Sequence, residues 1–526
     1  MVTSTNNKFL LRVGAKIWLS YLLIYSFMIL QFWWGNHDWS PIKNSIHISD
    51  GFFEARYSQH MFSAFLLDGQ LLPIITPLLT TLSLTILSLS IAKYFNLPSK
   101  EKDYFIFSIL LASCPYTLIL FYYSFIMLPL ALWSCIGITS LFLDYPYINT
   151  KRFILKTFIL TLILGSYPPI ISFILTIFGA KKIIEFNNNK IPLKILINNS
   201  VIFIIQLILA YLFFKIIISQ LTAYSYSIEQ MYNTQTANIS TILINIPKEL
   251  INSIYIFNKS SITLGTTYSI FYTTLLFASF SIIINKAQNK LLTSLFLLLL
   301  LLTSRFVFII TPNANMAEFR IAFWGQLGII TFATITLLKS KSIFIKNLTF
   351  LFITSFIFIF IKTNIGIQKT QFLGFRAERL YHTRLFNTLT SHPNFDNNKK
   401  YSSLNVGYPQ FHHRFHNKNI FTNELIGNTV LPFDLTEKLF WEQEITPLTC
   451  KKGIWDNKLW SVQDNKHLNC FIKIPKSNNI RYWIYTSDKT YPNKDSIYID
   501  DNYIIFLLDK KELYKHRELI SKKLSN

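Results

Sequence analysis

Acidic side chains gather in one polar segment of this chain, residues 35–70, which separates the first two long apolar runs. Asp38 lies four residues after Trp34, the end of the first apolar run, which places its carboxylate close to where an apolar helix would end. Partial desolvation there raises the basicity of a carboxylate, so Asp38 could act as a general base toward an alcohol. Asp50 and Glu54 are four residues apart and would share one face of a helix. We therefore predict Asp38, Asp50 and Glu54 as catalytic residues, against the alternative of a solvated loop with a local salt bridge.

Two arginines further along the chain have the chemistry to bind phosphate. Arg305 interrupts the apolar run Leu291–Ile310, and a charge inside a membrane span is costly and usually functional. Arg320 begins the next apolar run, after a polar loop. Guanidinium groups form bidentate hydrogen bonds with phosphate oxygens, so we predict that these side chains bind a substrate phosphate. The alternative for Arg305 is that its side chain extends to the membrane interface.

Other kinds of site are not expected. His412 and His416 have the spacing of two metal ligands on a helix, but Pro and Asn flank them and the HExxH pattern is absent, so we predict no metal site. The sequence has no Gly-rich phosphate loop, GxSxG or CxxC, and we expect no cofactor. The net charge of +23 comes mostly from residues at the ends of apolar runs and in the C-terminal tail, which argues against a nucleic-acid partner.

The elements that must position these residues are apolar helices. Half of the 526 residues are hydrophobic and only 15% are charged. Several runs reach the roughly 20 residues that cross a bilayer: Ile17–Trp34, Leu71–Ile91, Ile195–Ile218, Leu291–Ile310 and Ile343–Ile361. The composition therefore predicts an all-α polytopic bundle that spans a membrane and contacts its lipids.

Basic residues at every second junction set the expected topology. Because such residues favour the cytoplasmic side, they predict about eleven spans, an N-terminus inside and residues 363–526 outside the cytoplasm. This count requires Phe153–Ala180 to form a helical hairpin that turns at Pro168-Pro169, because prolines disrupt helices. In the long loop 220–264, the amphipathic stretch Ile242–Phe257 predicts an interfacial helix, with a plain connecting loop as the alternative.

The two predicted domains are a transmembrane domain, residues 1–362, and a soluble mixed α/β domain, residues 363–526. In the second we expect a helix at Leu373–Leu389 and a closing charged helix at Asp509–Leu524. Its predicted strands are rich in β-branched and aromatic residues: Cys470–Ile474, Arg481–Tyr485 and Tyr503–Leu507. Cys450 and Cys470 would form a disulfide only outside the cytoplasm; inside, both would be free thiols.

The layout resembles a known group of bacterial membrane glycosyltransferases, the GT-C-type enzymes, particularly the GtrII-like glucosyltransferases that modify O-antigen. Asn36-His37-Asp38-Trp39 is similar to the Asn-acid-acid motif that opens the family's first outer loop. Tyr122-Tyr123 is similar to its aromatic turn, and Ser166-Tyr167 to its Tyr-Gln position. His37 stands in place of an acid and Gly69-Gln70 in place of Gly-Arg, so Arg56 or Arg305 would have to supply the missing arginine.

The resemblance implies transfer of a sugar from a polyprenyl-phosphate carrier to an extracytoplasmic, lipid-linked glycan such as O-antigen. Asp38 would be the catalytic residue, with Asp50 or Glu54 assisting. The expected substrate-binding residues are His37, Arg56, Tyr122, Tyr167, Arg305 and Arg320. The expected location is the bacterial inner membrane, with the C-terminal domain periplasmic. Two alternatives stay open: a polysaccharide flippase or transporter, and an O-antigen polymerase.

Overall fold

The structure is a computed structural model that describes two compact units. It describes residues 4–31, 45–48, 56–98, 100–114, 117, 120–121, 124–144, 149–221, 239–254, 266–310, 318–396, 399, 402–406, 446–447, 483, 487, 489–500 and 503–507. The described residues up to Lys369 belong to the first unit, and those from Thr370 onward to the second.

The first unit is built from helices. They are α1 (Ser4–Ile24), α2 (Ser26–Leu30), α3 (Met61–Leu67), α4 (Ile75–Tyr94), α5 (Glu101–Ser113), α6 (Ser124–Ser140), α7 (Thr150–Leu164), α8 (Ile170–Asn187), α9 (Leu193–Leu221), α10 (Ile239–Ile254), α11 (Thr266–Lys286), α12 (Lys290–Ser304), α13 (Phe306–Ile310), α14 (Glu318–Leu338) and α15 (Ile343–Thr390), whose last part belongs to the second unit. Helix α8 lies at the centre, because it packs against α6, α7, α12 and α14.

Five described helices are long and apolar enough to cross a membrane. They comprise Ile75–Tyr94, Ile126–Asp144, Leu193–Gln220, Thr267–Lys286 and Ile343–Lys369. Apolar side chains of α9, such as Ile204 and Leu212, are about half exposed on the outside of the unit. A surface of this kind is stable in lipid and unfavourable in water. These apolar helices indicate a helical membrane protein, the class that the composition predicts.

The predicted hairpin between Phe153 and Ala180 is confirmed. Helix α7 ends at Leu164 and α8 begins at Ile170, with Pro168 and Pro169 in the turn between them. Helix α10 confirms that the amphipathic stretch is helical. In α15 one continuous helix joins the predicted last span to the predicted helix Leu373–Leu389.

Two predicted spans are interrupted rather than continuous. The first breaks at Tyr25, between α1 and α2, and Leu291–Ile310 breaks at Arg305, between α12 and α13. At the first break the buried amide of Gln368 donates to the carbonyl of Ile24 at 2.9 Å and accepts from the backbone N–H of Met28 at 3.1 Å. These backbone groups lie inside the bundle, so the break is stable because a side chain satisfies them.

The described strands belong to the second unit and form one mixed sheet. Strands β1 (Ser402–Val406), β2 (Thr446–Pro447), β3 (Ile497–Ile499) and β4 (Tyr503–Leu507) lie in the order β2-β1-β4-β3. β1 is parallel to β2 and β4, whereas β3 and β4 are antiparallel. The last turns of α15 pack on this sheet through Leu385 and Leu389. The predicted strand Tyr503–Leu507 is confirmed; Cys450, Cys470, the other two predicted strands and Asp509–Leu524 fall wholly or mostly outside the described residues.

Candidate functional site

A tight turn, Arg56–His60, attaches the polar segment to the hairpin of α7 and α8. The Tyr57 hydroxyl donates to the carbonyl of Thr161 at 2.9 Å, and the Ser58 N–H donates to the carbonyl of Gly165 at 3.0 Å. The Ser58 hydroxyl also donates to the carbonyl of Leu162. The last carbonyls of a helix lack partners within the helix, so the two Ser58 donors serve the end of α7, whereas the Thr161 carbonyl also accepts from the N–H of Gly165.

Gly165 is required at this contact by space. A Cβ built on Gly165 would lie 2.3 Å from the nearest ring atom of Tyr57, well inside van der Waals contact. The Tyr57 ring therefore lies directly on the backbone where α7 ends. Burial raises the pKa of the Tyr57 hydroxyl above its ordinary value, so the hydroxyl stays protonated and remains a donor to Thr161.

The turn brings Arg56 onto the ring of Tyr167. The guanidinium carbon lies 5.7 Å from the ring centroid, within the range of a cation–π interaction. Both residues are half-buried. Two residues that the sequence analysis selected for substrate binding, far apart in the chain, therefore lie together where α7 meets α8.

Aromatic side chains extend this contact toward α14. The ring centroid of Tyr167 lies 6.5 Å from that of Trp324, which in turn packs against Phe173 at 6.2 Å and Phe323 at 4.7 Å. Trp324 is almost fully buried. Helix α14 is thereby held against the hairpin at the same end of the unit, which we call the loop end.

Two polar atoms at the loop end are buried without a hydrogen-bond partner among the described residues. They are Oε1 of Gln59, in the turn, and the hydroxyl oxygen of Ser166, beside Tyr167. Their residues are 1% and 0% exposed. A buried polar atom without a partner is unfavourable, so each is available to accept a hydrogen bond from a further group.

The earlier part of the polar segment is attached at Gly69 and Gln70. The carbonyl of Gly69 accepts from the N–H of Ile46 at 2.9 Å, and the Gln70 amide donates to the Ser45 hydroxyl at 2.7 Å. Gly69 adopts a positive φ of 69°, and a Cβ there would lie 2.4 Å from the carbonyl oxygen of Ile46. Gly69 and Gln70, which stand where the glycosyltransferases of the resemblance have Gly-Arg, therefore hold the segment in place.

Arg305 forms a buried ion pair with Glu249, a residue that the sequence analysis did not select. Arg305 Nε lies 2.8 Å from Glu249 Oε2, and the two side chains are only 3% and 6% exposed. The guanidinium also lies 4.0 Å from the ring centroid of Phe308. Arg305 therefore points into the unit and does not extend to an interface. Glu249 lies on the amphipathic stretch; the rule that buried charges are paired predicts a carboxylate partner for Arg305 but does not say which one.

The ion pair and the aromatic contact are neighbours. At Gly325, next to Trp324, the backbone of α14 approaches the end of α12 so closely that a Cβ would lie 1.8 Å from the carbonyl oxygen of Ser304. Ser304 immediately precedes Arg305, so the structure places Arg305 at the loop end along with Arg56 and Tyr167.

The remaining predicted site residues lie outside this description. His37, Asp38, Asp50, Glu54 and Tyr122 fall outside the described residues, and so do His412 and His416. Arg320 lies in the first turn of α14, but its side chain is not described. In the part of the chain that the structure covers, no three His, Cys, Asp or Glu side chains come close enough to hold a metal ion.

The surroundings of Arg56 and Tyr167 combine a cation, aromatic rings and buried acceptors at one end of a helical unit. Such a set can hold a phosphate or a polar ligand with several hydroxyl groups. Comparison with family models, curated proteins and solved structures gave no match for this chain.

Proposed function

We propose that the chain is a membrane glycosyltransferase of GT-C type that takes a sugar, glucose being one candidate, from a polyprenyl-phosphate carrier. The acceptor would be a lipid-linked glycan such as O-antigen on the outer side of the bacterial inner membrane. The observation that carries the proposal is the contact between Arg56 and Tyr167, held by the Arg56–His60 turn. It gives the acidic segment a cation that the fold holds in place, and a departing phosphate needs such a positive charge.

In the proposed reaction, the acceptor hydroxyl oxygen attacks the anomeric carbon of the sugar. Asp38 takes the hydroxyl proton, with Asp50 or Glu54 assisting. As the new bond forms, the bond between the anomeric carbon and the carrier phosphate oxygen breaks, and the phosphate keeps the electron pair. Arg56 stabilises the negative charge on this leaving group, with His37, Tyr122, Tyr167 and Arg320 in substrate contacts.

Arg305 has a different role in the proposed reaction, because the carboxylate of Glu249 already balances its charge. A phosphate would have to compete with a carboxylate 2.8 Å away from Arg305 Nε. We therefore give Arg305 a supporting role at the break between α12 and α13, and we assign the main phosphate contact to Arg56 because of its position against the ring of Tyr167.

The experiment compares envelope glycans from cells that express the wild-type chain or a variant, by mass spectrometry. Asp38→Asn should lower the added sugar by at least about 100-fold, because general-base catalysis contributes roughly that much. Asp68→Asn is the matched control: Asp68 is exposed in the same segment, and its positive φ of 49° also suits Asn. Unchanged glycan with Asp38→Asn would refute the catalytic assignment.

A second comparison tests the Arg56 contact. Arg56→Lys keeps the charge but loses the planar group that stacks on Tyr167, so transfer should fall even though the protein inserts normally. Tyr167→Phe keeps the ring and should retain activity, whereas Tyr167→Leu should not. The alternative outcome is that neither the wild-type chain nor any variant adds sugar, but the variants change how much glycan the cells accumulate or export. A flippase or polymerase is then the better interpretation.

A further inference from the structure

The opposite end of the helical unit carries a cluster in which lysines outnumber carboxylates. Its members are Lys181, Lys182, Lys190, Lys339 and Glu185, and we call it the lysine cluster. Helices α8 and α14 run from the loop end toward this cluster, so it is separate from the site described above.

Glu185 is shared by two lysines. Its Oε1 lies 3.4 Å from Lys181 Nζ and its Oε2 lies 3.1 Å from Lys182 Nζ. All three side chains are at most 15% exposed. One carboxylate therefore balances one of two partly buried ammonium groups, and water screens the remaining charge only weakly.

Lys339 adds a further positive charge to this region. Its ammonium group donates to the carbonyl of Phe95 at 2.8 Å, where α4 ends. Burial, followed by repulsion from Lys181 and Lys190, lowers the pKa of Lys339 to about 8. The protein itself thus supplies too little negative charge for the lysines that it gathers.

Ammonium donors remain available in the cluster. Each lysine carries three N–H donors. Among the described residues, Lys182 bonds to Glu185, Lys339 bonds to Phe95, and Lys181 forms an ion pair with Glu185. A ligand with several acceptor oxygens and negative charge would satisfy both the remaining donors and the excess charge.

We propose that the lysine cluster binds a phosphate group, carried by an anionic lipid or free in solution. A tetrahedral phosphate offers acceptor oxygens in several directions, which suits ammonium groups that come from α8, the turn after it and the end of α14. A lipid source has support from the neighbouring surface. Helix α9 begins just after Lys190 and exposes Ile195, Ile197 and Ile204, which acyl chains could cover.

Native mass spectrometry of the full-length protein tests this proposal. Protein in phosphatidylcholine would be titrated with phosphatidylglycerol in one arm and with inorganic phosphate in the other. Lys181→Gln combined with Lys182→Gln should weaken binding about 25-fold, because each lysine near an anionic headgroup contributes about fivefold. The control is Lys286→Gln combined with Lys290→Gln, which removes the same charge from two exposed lysines.

Glu185→Gln provides a test of opposite sign. It removes the carboxylate that competes for the lysines, so binding should become tighter, whereas a merely structural cluster would show no gain. Tighter binding of phosphatidylglycerol alone identifies a lipid, and tighter binding in both arms identifies phosphate itself. Equal binding by wild type, the lysine double variant and Glu185→Gln would overturn the proposal, and so would an equal loss in the control.

Discussion

The pair Arg305–Glu249 gives the most direct test of how the loop end is stabilised. Both side chains are nearly inaccessible and their charged atoms are 2.8 Å apart. Removing one partner leaves a charge buried without compensation, which costs about 3–5 kcal/mol, whereas replacing both with apolar residues of similar size costs far less. Arg305→Met and Glu249→Leu should therefore each be strongly destabilising, and the double variant should recover most of the loss.

The assay is a double-mutant cycle on the free energy of unfolding of the full-length protein in detergent. The matched control is a second arginine–glutamate pair, Arg12 and Glu101, at 3.1 Å but with the arginine side chain 65% exposed. Arg12→Met and Glu101→Leu should be nearly additive, because solvent and salt weaken an exposed pair. Additive effects at Arg305 and Glu249 as well would refute the reasoning.

The same double variant separates structure from chemistry. If Arg305 only supports the break between α12 and α13, a stable double variant should still transfer sugar in the glycan assay. If stability returns and transfer does not, Arg305 contacts the substrate. The proposal for Arg56 predicts the first outcome, because it makes Arg56 the main phosphate contact.

Three further predictions concern packing, a helix break and pH. Gly165→Ala should destabilise the protein by about 1–3 kcal/mol through overpacking, whereas Gly366→Ala, with nothing within 4 Å of the new Cβ, should be neutral or stabilising in a thermal unfolding assay. Gln368→Leu should lower the free energy of unfolding by about 2–4 kcal/mol, because it leaves two backbone groups unsatisfied. The control is Gln206→Leu, which removes an equally buried amide with no bond to a described residue and should not cause this loss. Because burial lowers the pKa of Lys339 to about 8 from 10.5, the folded state binds this proton less tightly, so stability should rise between those pH values and Lys339→Gln should flatten the rise in unfolding midpoints.

The sequence predicts those elements whose causes are local. The turn at Pro168-Pro169 follows from the covalent geometry of proline, and the strand Tyr503–Leu507 follows from its composition. Both are confirmed: the turn needs no distant partner, and the composition marks the strand although its partner β1 is far away in the chain.

Features that depend on a distant partner were not predictable. Nothing near Tyr25 in the sequence marks a helix break, because the group that stabilises it is the amide of Gln368, which is more than 300 residues away in the chain. In the same way, Arg305 could be identified as an unusual charge, but its partner Glu249 is set by how α10 packs on α12. The contact of Arg56 with Tyr167 also arises only from the fold.

The bonds between Gln368 and the first break have a consequence for biosynthesis. The first helix emerges from the ribosome long before Gln368, so the carbonyl of Ile24 and the N–H of Met28 have no Gln368 partner while most of the chain is being made. A continuous helix would satisfy both groups during that time. We therefore expect the nascent first segment to insert as one straight helix and to bend at Tyr25 only after the last span has inserted. Truncation before Gln368 should trap the straight form.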